Sequence, residues 1–414
     1  MRRFLVGLLA NMFLFALAVI AALGVGEILA RRILPETPRT YADSATRGWK
    51  PLPHLDITWR VPAYEGGDPG PVRIRTDSHG FRIGHEVGPK KPGTFRIVVV
   101  GDSFTFGAPI HEQHLYPTVL ERSLVGRTSR PVEVVNLGVP GYGVHQEHVT
   151  LDEQGLALHP DLVIEALYLG NDLQETLGLH RRVFDSKTGG TMEAPDQRIV
   201  NGSMVLIPRD RIVMRGTLKA GTKEWLRARS RLYALLADRL GGFGALRAPL
   251  LRTGFARDEI ARLLPPTQRV ERLWSAVGTV SLLRETPPAI EEAWTLVEKH
   301  LDDMDSLCRA HGARFVVLFI PYKIQVVPER RKQELIRLAI TQADLDLEKP
   351  NRRVADWGRR RGVEVIDLLK AFHGAPDPGS TYFHVDSHWN DKGHEVAGRA
   401  LADLLVARGL VPTR

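Results

Sequence analysis

The hydrophobic positions fall into three patterns. Residues 4 to 26, FLVGLLANMFLFALAVIAALGVG, carry no charge, and Asn11 is their only strongly polar side chain. About 20 apolar residues suffice to cross a bilayer as a helix, so this run predicts a membrane span. Further on come short, apolar, β-branched runs: Ile97 to Val100, PVEVVNLG at 131–138, DLVIEALYLGND at 161–172, ARFVVLFIP after Gly312, and GVEVIDLL at 362–369. The first four read as buried strands, as in parallel sheets, and the fifth as the last strand. Between them lie segments with helical spacing: Leu115 to Leu124, residues 289–312, and residues 389–409. In the last, Val396, Ala400, Leu401, Leu404 and Leu405 form one stripe, and Gly409 suits a C-terminal cap. Strands alternating with helices predict βαβ units and a parallel sheet.

Two stretches break this rhythm. Residues 33–72 are rich in proline and glycine and show no clear period, so they read as a juxtamembrane linker and an irregular N-terminal segment. TDSHGFR at 76–82 reads as a tight turn with Gly80 at positive φ; Arg82 is either structural or reaches the site. Residues 180 to about 285 interrupt the sheet pattern. There, RIVNGSMVLI reads as a hairpin turning at Asn201-Gly202, and residues 223–240 read as an amphipathic helix. From Arg209 to Arg262 there are 13 Lys and Arg against 5 Asp and Glu, an excess equal to the net charge of the chain, +8. This face is either simply solvated or contacts anionic lipid or an anionic polymer. Residues 328–360 are charged and read as helical. The expected organisation is an anchor (1–30), a linker and N-terminal segment (31–94), a first part of the α/β domain (95–180), a basic insertion or cap (181–287) and a second part of that domain (288–414).

Composition is that of a globular protein, with 43% hydrophobic and 25% charged residues in 414. Cys308 is the only cysteine, which excludes an intrachain disulfide and a multi-cysteine zinc or iron–sulfur site. The apolar run is longer than a usual signal core and has no small-x-small cleavage site before Glu27, so an uncleaved single-pass anchor is expected. Arg2 and Arg3 stand against Arg31 and Arg32, and the α-amino group tips the count. The expectation is a cytoplasmic N-terminus at the bacterial inner membrane and an exported, periplasmic bulk.

The candidate chemistry begins at RIVVVGDSFTFG, residues 96–107. The strand ends at Gly101, so Ser103 stands at a sheet's carboxyl end, where α/β folds place their sites. Asp102 and Ser103 could instead only cap the following helix. The stretch is not a G-x-S-x-G elbow, because Thr105 stands at the second glycine. Three more strand ends or helix starts bear reactive types: Asn136-Leu137-Gly138-Val139-Pro140-Gly141, Gly170-Asn171-Asp172, and Asp386-Ser387-His388-Trp389-Asn390. With Gly101-Asp102-Ser103, these four blocks in this order resemble the SGNH (GDSL-like) hydrolase family over roughly residues 95–180 and 290–410. The resemblance implies a flavodoxin-like three-layer α/β/α fold. It implies Ser103 as nucleophile and His388 as base, with the N–H groups of Ser103 and Gly141 and the Asn171 amide facing an oxyanion. One departure stands out: the usual last block is D-x-x-H, but position 385 is Val, so the orienting acid becomes Asp386 in a D-x-H form. That form resembles membrane-anchored and periplasmic members, including those that O-acetylate exopolysaccharides such as alginate. Asp367 is the reserve acid. His394 reads as exposed or packed, His384 as a loop residue or site neighbour, and Asp172 as structural.

The resulting expectation is a membrane-anchored serine esterase or O-acyltransferase acting on small acyl groups of an envelope glycan. A lysophospholipase or thioesterase meeting lipid, and a non-catalytic glycan-binding module, remain as alternatives. Hydrolysis and transfer differ only in the acceptor. There is no P-loop, no G-x-G-x-x-G after a strand and no evident metal cluster, so neither cofactor, metal nor nucleic acid is expected.

Overall fold

The computed structural model describes residues 2–33, 40–44, 46–60, 70–107, 109–177, 196–200, 203–207, 230, 232–233, 277–338 and 340–414. The chain divides into two units. One comprises Met1–Pro38, Arg198–Val200 and Asp210–Glu259; the other comprises Arg39–Gln197, Asn201–Arg209 and Ile260–Arg414.

In the first unit a helix runs over Arg2–Ile33. Its segment Asn11–Ile33 has a mean hydropathy of 2.4 and is long and apolar enough to cross a membrane; a secretory signal sequence passes the same test. Met12, Phe13, Leu14, Phe15, Leu17 and Ile20 are all exposed, so this middle stretch is apolar on every side. Near its end Glu27 accepts hydrogen bonds from Arg31 Nε (2.7 Å), Ser230 Oγ (2.8 Å) and Leu232 N (3.0 Å).

The second unit is built on five parallel strands: β1 (Phe95–Gly101), β2 (Val132–Asn136), β3 (Leu162–Tyr168), β4 (Arg314–Ile320) and β5 (Glu364–Asp367). Their spatial order is β5-β4-β3-β1-β2, every neighbouring pair parallel. This is the flavodoxin-like order, with its topological switch point between β1 and β3. The strand period of two sends alternate side chains to opposite layers. Val98, Val100, Val163 and Val317 face a layer holding Val144, Trp294, Val297, Leu301 and Trp357. Ile97, Val99, Ile164 and Leu318 face the other, holding Tyr116, Leu120, Phe372, Leu401 and Leu405. Helices Val144–Thr150, Pro288–Ala310 and Lys349–Arg361 belong to the first layer, Tyr116–Leu124 and Asp391–Ala407 to the second. The expected three-layer α/β/α arrangement is therefore observed. On the closing helix Leu401 and Leu405 are buried, while Val396, Ala400 and Leu404 sit partly buried at the edge of the stripe. Gly409 takes φ 62° after the helix, and Leu410 N donates back to Leu405 O.

The segment expected to be irregular is instead ordered in two antiparallel pairs. Tyr41–Ser44 pairs with Gly48–Pro51, and Asp56–Arg60 with Pro71–Arg75. Strands of four and five residues are too short to show a period amid prolines and glycines. They also do work for the second unit. Trp59, Val72 and Ile74 pack with Phe106, Leu115 and Phe383, and Tyr41 and Trp49 pack with Val139 and Tyr142. Gly80 has the expected positive φ, 87°, in a turn closed by Gly80 N on Asp77 O at 3.1 Å. Strands occur over Asp196–Val200 and Ser203–Ile207, on either side of Asn201-Gly202. The expected amphipathic helix at 223–240 lies almost wholly outside the described residues. Residues 328–360 contain helices Pro328–Leu338 and Lys349–Arg361.

The loop after β2 lies tight against the turn after β1: a Cβ on Gly138 would come within 2.4 Å of Phe106 N. Backbone cannot move aside as a side-chain tip can. Gly138→Ala is therefore expected to lower stability by about 1–3 kcal/mol, as overpacking does. Urea denaturation of the two proteins checks this; equal midpoints would show that the approach is looser than described.

Candidate active site

β1 is buried throughout and stops at Gly101. Asp102, fully buried, accepts a hydrogen bond from Phe104 N at 2.8 Å and so caps the short helix Ser103–Phe106. The cap is real, but it is the work of Asp102 alone. The Ser103 hydroxyl lies 2.6 Å from Nε2 of His388.

His388 comes from a loop held on several sides. Asn390 caps the closing helix through Lys392 N and Gly393 N, and its amide donates to Ser380 O and Tyr382 O. Phe383 N donates to His388 O at 3.0 Å. Trp389, fully buried, stacks on Phe372 at 4.8 Å and meets Phe104 edge-on at 5.0 Å. The His388 ring lies 4.7 Å from that of Phe104. One oxygen of Asp386, Oδ1, accepts from both His388 N (2.9 Å) and His388 Nδ1 (2.5 Å). The D-x-H spacing thus closes a two-residue turn onto the imidazole. The reserve acid is engaged elsewhere: Asp367 accepts from Leu369 N and Asn351 Nδ2, each at 2.8 Å.

The other two blocks arrive beside Ser103. Leu137 N donates to Val99 O (2.8 Å) and Val139 N to Gly101 O (2.9 Å), which extends the β1–β2 pairing past the strand ends. Asn136 locks this loop to the serine helix, accepting from Gly138 N (2.9 Å) and donating to Thr105 O (2.7 Å). Gly141 takes φ 78°, a conformation costly for a residue with a Cβ. Asn171, just beyond β3, donates to Tyr142 O at 3.2 Å and so ties the third loop to the second. From outside, Trp49 Nε1 donates to Pro140 O at 3.2 Å, and the Tyr142 hydroxyl donates to Trp49 O. The short N-terminal strands thereby brace the glycine loop.

The charges around this cluster are uneven. Burial would raise the Asp386 carboxyl, but the His388 charge, two hydrogen bonds from His388 and nearby Lys323 hold it well below the usual carboxylate range. An ionised Asp386 beside Nδ1 favours the Nδ1–H tautomer, which leaves Nε2 facing Ser103. Lys323, absent from the sequence expectations, is buried after β4 and donates to the carbonyls of Phe383 (2.7 Å), His384 (3.0 Å) and Asp386 (2.8 Å). A lone lysine three residues past a strand carries no motif that would have found it. Burial pushes Asp102 up to about 6, against His388, the Phe104 N–H and the Asn171 amide.

The remaining sequence candidates are structural. His394 is buried, accepts from Tyr116 N at 3.2 Å, and is pushed down to about 3 by burial and by the charges of His388, His114 and Arg82. Of its two expected readings, exposed or packed, the structure shows the packed one. Asp172 accepts from Tyr168 N at 2.6 Å, and His384 is exposed. Arg82 is buried, donates to Ile110 O at 3.1 Å and lies 5.8 Å over the Phe106 ring.

A strand-end serine facing a histidine, with a glycine loop and an asparagine beside it, matches one known family in sequence as well. The model of the GDSL-like lipase/acylhydrolase family matches residues 99–396, well over half of the chain. The chain belongs to this family. It is an ester-hydrolysing enzyme, an esterase or acylhydrolase whose substrate is an ester. Similar solved structures include the lipase/acylhydrolase of Enterococcus faecalis, 13% identical, covering 77% of this chain and 99% of that one, with a TM-score of 0.35. An α/β hydrolase from the metagenome of Lake Arreo, Spain, is 17% identical, covering 76% and 95%, with a TM-score of 0.35. A catalytic mutant of an acetylxylan esterase from Geobacillus stearothermophilus is 12% identical, covering 76% and 95%, with a TM-score of 0.36. No curated protein matches the chain.

Behind the cluster lie two more buried carboxyls, Glu147 on helix Val144–Thr150 and Glu165 in β3. Burial pushes Glu165 up to about 8 and, with the Glu165 charge beside it, Glu147 well above its ordinary range. Two such groups in contact cannot both ionise, so the folded protein retains at least one proton there. The folded-state values lie above the unfolded ones, so this contribution is fully present below pH 4.5 and is lost as pH rises through about 8. The melting temperature is expected to fall between pH 5 and 8, and the slope should flatten in Glu165→Gln. A slope identical in the two proteins would remove this pair as its source.

Proposed function

We propose that this protein is a membrane-anchored serine esterase or O-acyltransferase that works through an acyl-serine intermediate, with small O-acyl groups, acetyl above all, on an envelope glycan as its substrate. The observation that carries the chemistry is the chain Ser103 Oγ to His388 Nε2 at 2.6 Å and His388 Nδ1 to Asp386 Oδ1 at 2.5 Å. In this reading Ser103 Oγ attacks the ester carbonyl while His388 Nε2 takes its proton. Asp386 stays ionised and stabilises the imidazolium. The N–H groups of Ser103 and Gly141 and the Asn171 amide hold the oxyanion, each donor worth roughly 3 kcal/mol of barrier. His388 then protonates the departing alcohol. Water or a sugar hydroxyl attacks the acyl-serine, passes its proton to His388, and Ser103 recovers it on release.

Anchoring is supported by the long helix Arg2–Ile33, whose residues Asn11–Leu23 are apolar but for Asn11 and exposed. In this reading it is an uncleaved single span with the catalytic part, 95–180 and 288–414, on the periplasmic side of the inner membrane. Residues 31–94 link the two. The basic insertion, 181–287, meets anionic lipid or an anionic polymer. The glycan and the acetyl group rest on the D-x-H block, the form carried by exopolysaccharide O-acetylating members.

The test is labelling of the detergent-solubilised full chain with a fluorophosphonate. Ser103 should be labelled, Ser103→Ala not at all, and His388→Ala far more slowly. Asp386→Asn should slow the reaction by up to about 10⁴, the effect of the equivalent change in a serine protease, whereas Asp367→Asn should leave labelling near that of the wild type. Loss in Asp367→Asn with retention in Asp386→Asn would overturn the assignment of the acid. p-Nitrophenyl acetate should be cleaved in preference to a long-chain ester; the reverse preference would overturn the small-acyl reading in favour of lipid.

A further inference from the structure

Helix Val144–Thr150 begins immediately after the Gly141 loop and packs against the long helix Pro288–Ala310. On the first, His145 and His148 are three residues apart; on the second, so are His300 and Asp303. That spacing puts each pair on one helix face. The two faces meet. His148 Nδ1 is 3.1 Å from His300 Nδ1, and His145 Nδ1 is 3.3 Å from His300 Nε2. Ligand atoms of His148, His300 and Asp303 all lie within 4.8 Å of one another, and all three residues are partly exposed, so solvent reaches them.

From this geometry we infer a binding site for a divalent transition-metal ion of the zinc class, ligated by His148 Nδ1, His300 Nδ1 and one carboxylate oxygen of Asp303, with water completing a tetrahedron. Two nitrogens each about 2.0–2.1 Å from a tetrahedral ion are about 3.3 Å apart, close to the observed separation. The imidazole and carboxylate donors suit zinc, cobalt or nickel rather than calcium or magnesium. His145 takes the supporting part: His300 Nε2–H donates to it, which fixes the tautomer that turns the His300 Nδ1 lone pair toward His148. Coordination needs neutral rings, and burial favours that form: burial and the neighbouring histidines push His300 down to about 3, and burial lowers His148. Lys299 holds the Asp303 Oδ2 atom at 2.7 Å, leaving the other oxygen for the ion, and its own charge opposes the ion's. The bound ion would staple the helix that follows the glycine loop to the long helix of the same layer.

A second cluster, Asp77, His79 and Glu86, lacks this character. Asp77 accepts from the backbone of His79 (2.8 Å), Phe81 (2.9 Å) and Val87 (3.4 Å), and Glu86 from Ser78 N (3.1 Å). Those carboxylates build the turn.

The experiment uses the untagged full chain in detergent, stripped with a chelator and titrated with zinc chloride by calorimetry. One ion per chain should bind saturably and raise the melting temperature. His148→Gln, His300→Gln and Asp303→Asn should each weaken binding at least tenfold. His311→Gln, an exposed histidine at the end of the same long helix, should leave the titration unchanged. Cobalt should give the intense visible bands of four-coordinate geometry, lost in His300→Gln. Absence of saturable binding would overturn the proposal. So would equal isotherms for wild type and the three ligand variants, which would place the ion on another of the chain's 15 histidines. Asp303→Asn, a partly exposed and nearly isosteric change, keeps the test decisive if a histidine variant fails to fold.

Discussion

The hydrogen bond between Ser103 and His388 joins groups 285 residues apart, and much of the second unit serves to hold its two ends. On the serine side the device is a buried strand that ends abruptly, with Asp102 capping the short helix so that the next hydroxyl emerges at the sheet's edge. On the histidine side it is a loop pinned by Trp389 beneath, by Asn390 at its end and by the Lys323 ammonium across three of its carbonyls. Neither end is stiff from its own sequence. A serine rotamer and a surface histidine each cost conformational entropy to fix, and the fold supplies that by packing rather than by the pair itself.

The flavodoxin-like strand order explains why these loops meet. β1 and β3 are neighbours, but the chain leaves them in opposite directions, so a crevice opens at their carboxyl ends. Ser103 follows β1, the Gly138–Gly141 loop follows β2 and Asn171 follows β3. Asn136 and Asn171 convert this proximity into specific bonds between loops. Beneath the crevice sit Asp102, Glu147, Glu165 and Asp172, all buried. Burying that many carboxyls is unfavourable unless some stay protonated, and burial raises both Asp102 and Glu165 in that direction. Sites in this family-sized α/β frame thus carry local destabilisation that the two apolar layers offset.

Much of this was legible in the sequence, and the reasons differ by element. The five strands were readable because strands inside a parallel sheet need short runs rich in apolar, β-branched residues. Ser103, Gly141, Asn171, Asp386 and His388 were readable as blocks at strand ends, and the structure gathers them. The strands between Tyr41 and Arg75 were not, because four or five residues among prolines show no period. Lys323 was not, because its meaning lies in three carbonyls some 60 residues away. Glu147 and Glu165 drew no attention, since composition cannot say that an acid is buried and unpaired with a base. His145 with His148, and His300 with Asp303, are unremarkable halves until two helices bring them face to face.

The central claim is that the Ser103 oxygen becomes covalently acylated during turnover. Mixing the protein with p-nitrophenyl acetate, quenching in acid within the first turnovers and mapping peptides by mass spectrometry tests it directly. The account predicts one added acetyl group on the peptide containing Ser103, appearing with the first burst of p-nitrophenol and vanishing as substrate is exhausted. Continued hydrolysis with no acetyl on Ser103, or with acetyl on a different residue, would contradict it.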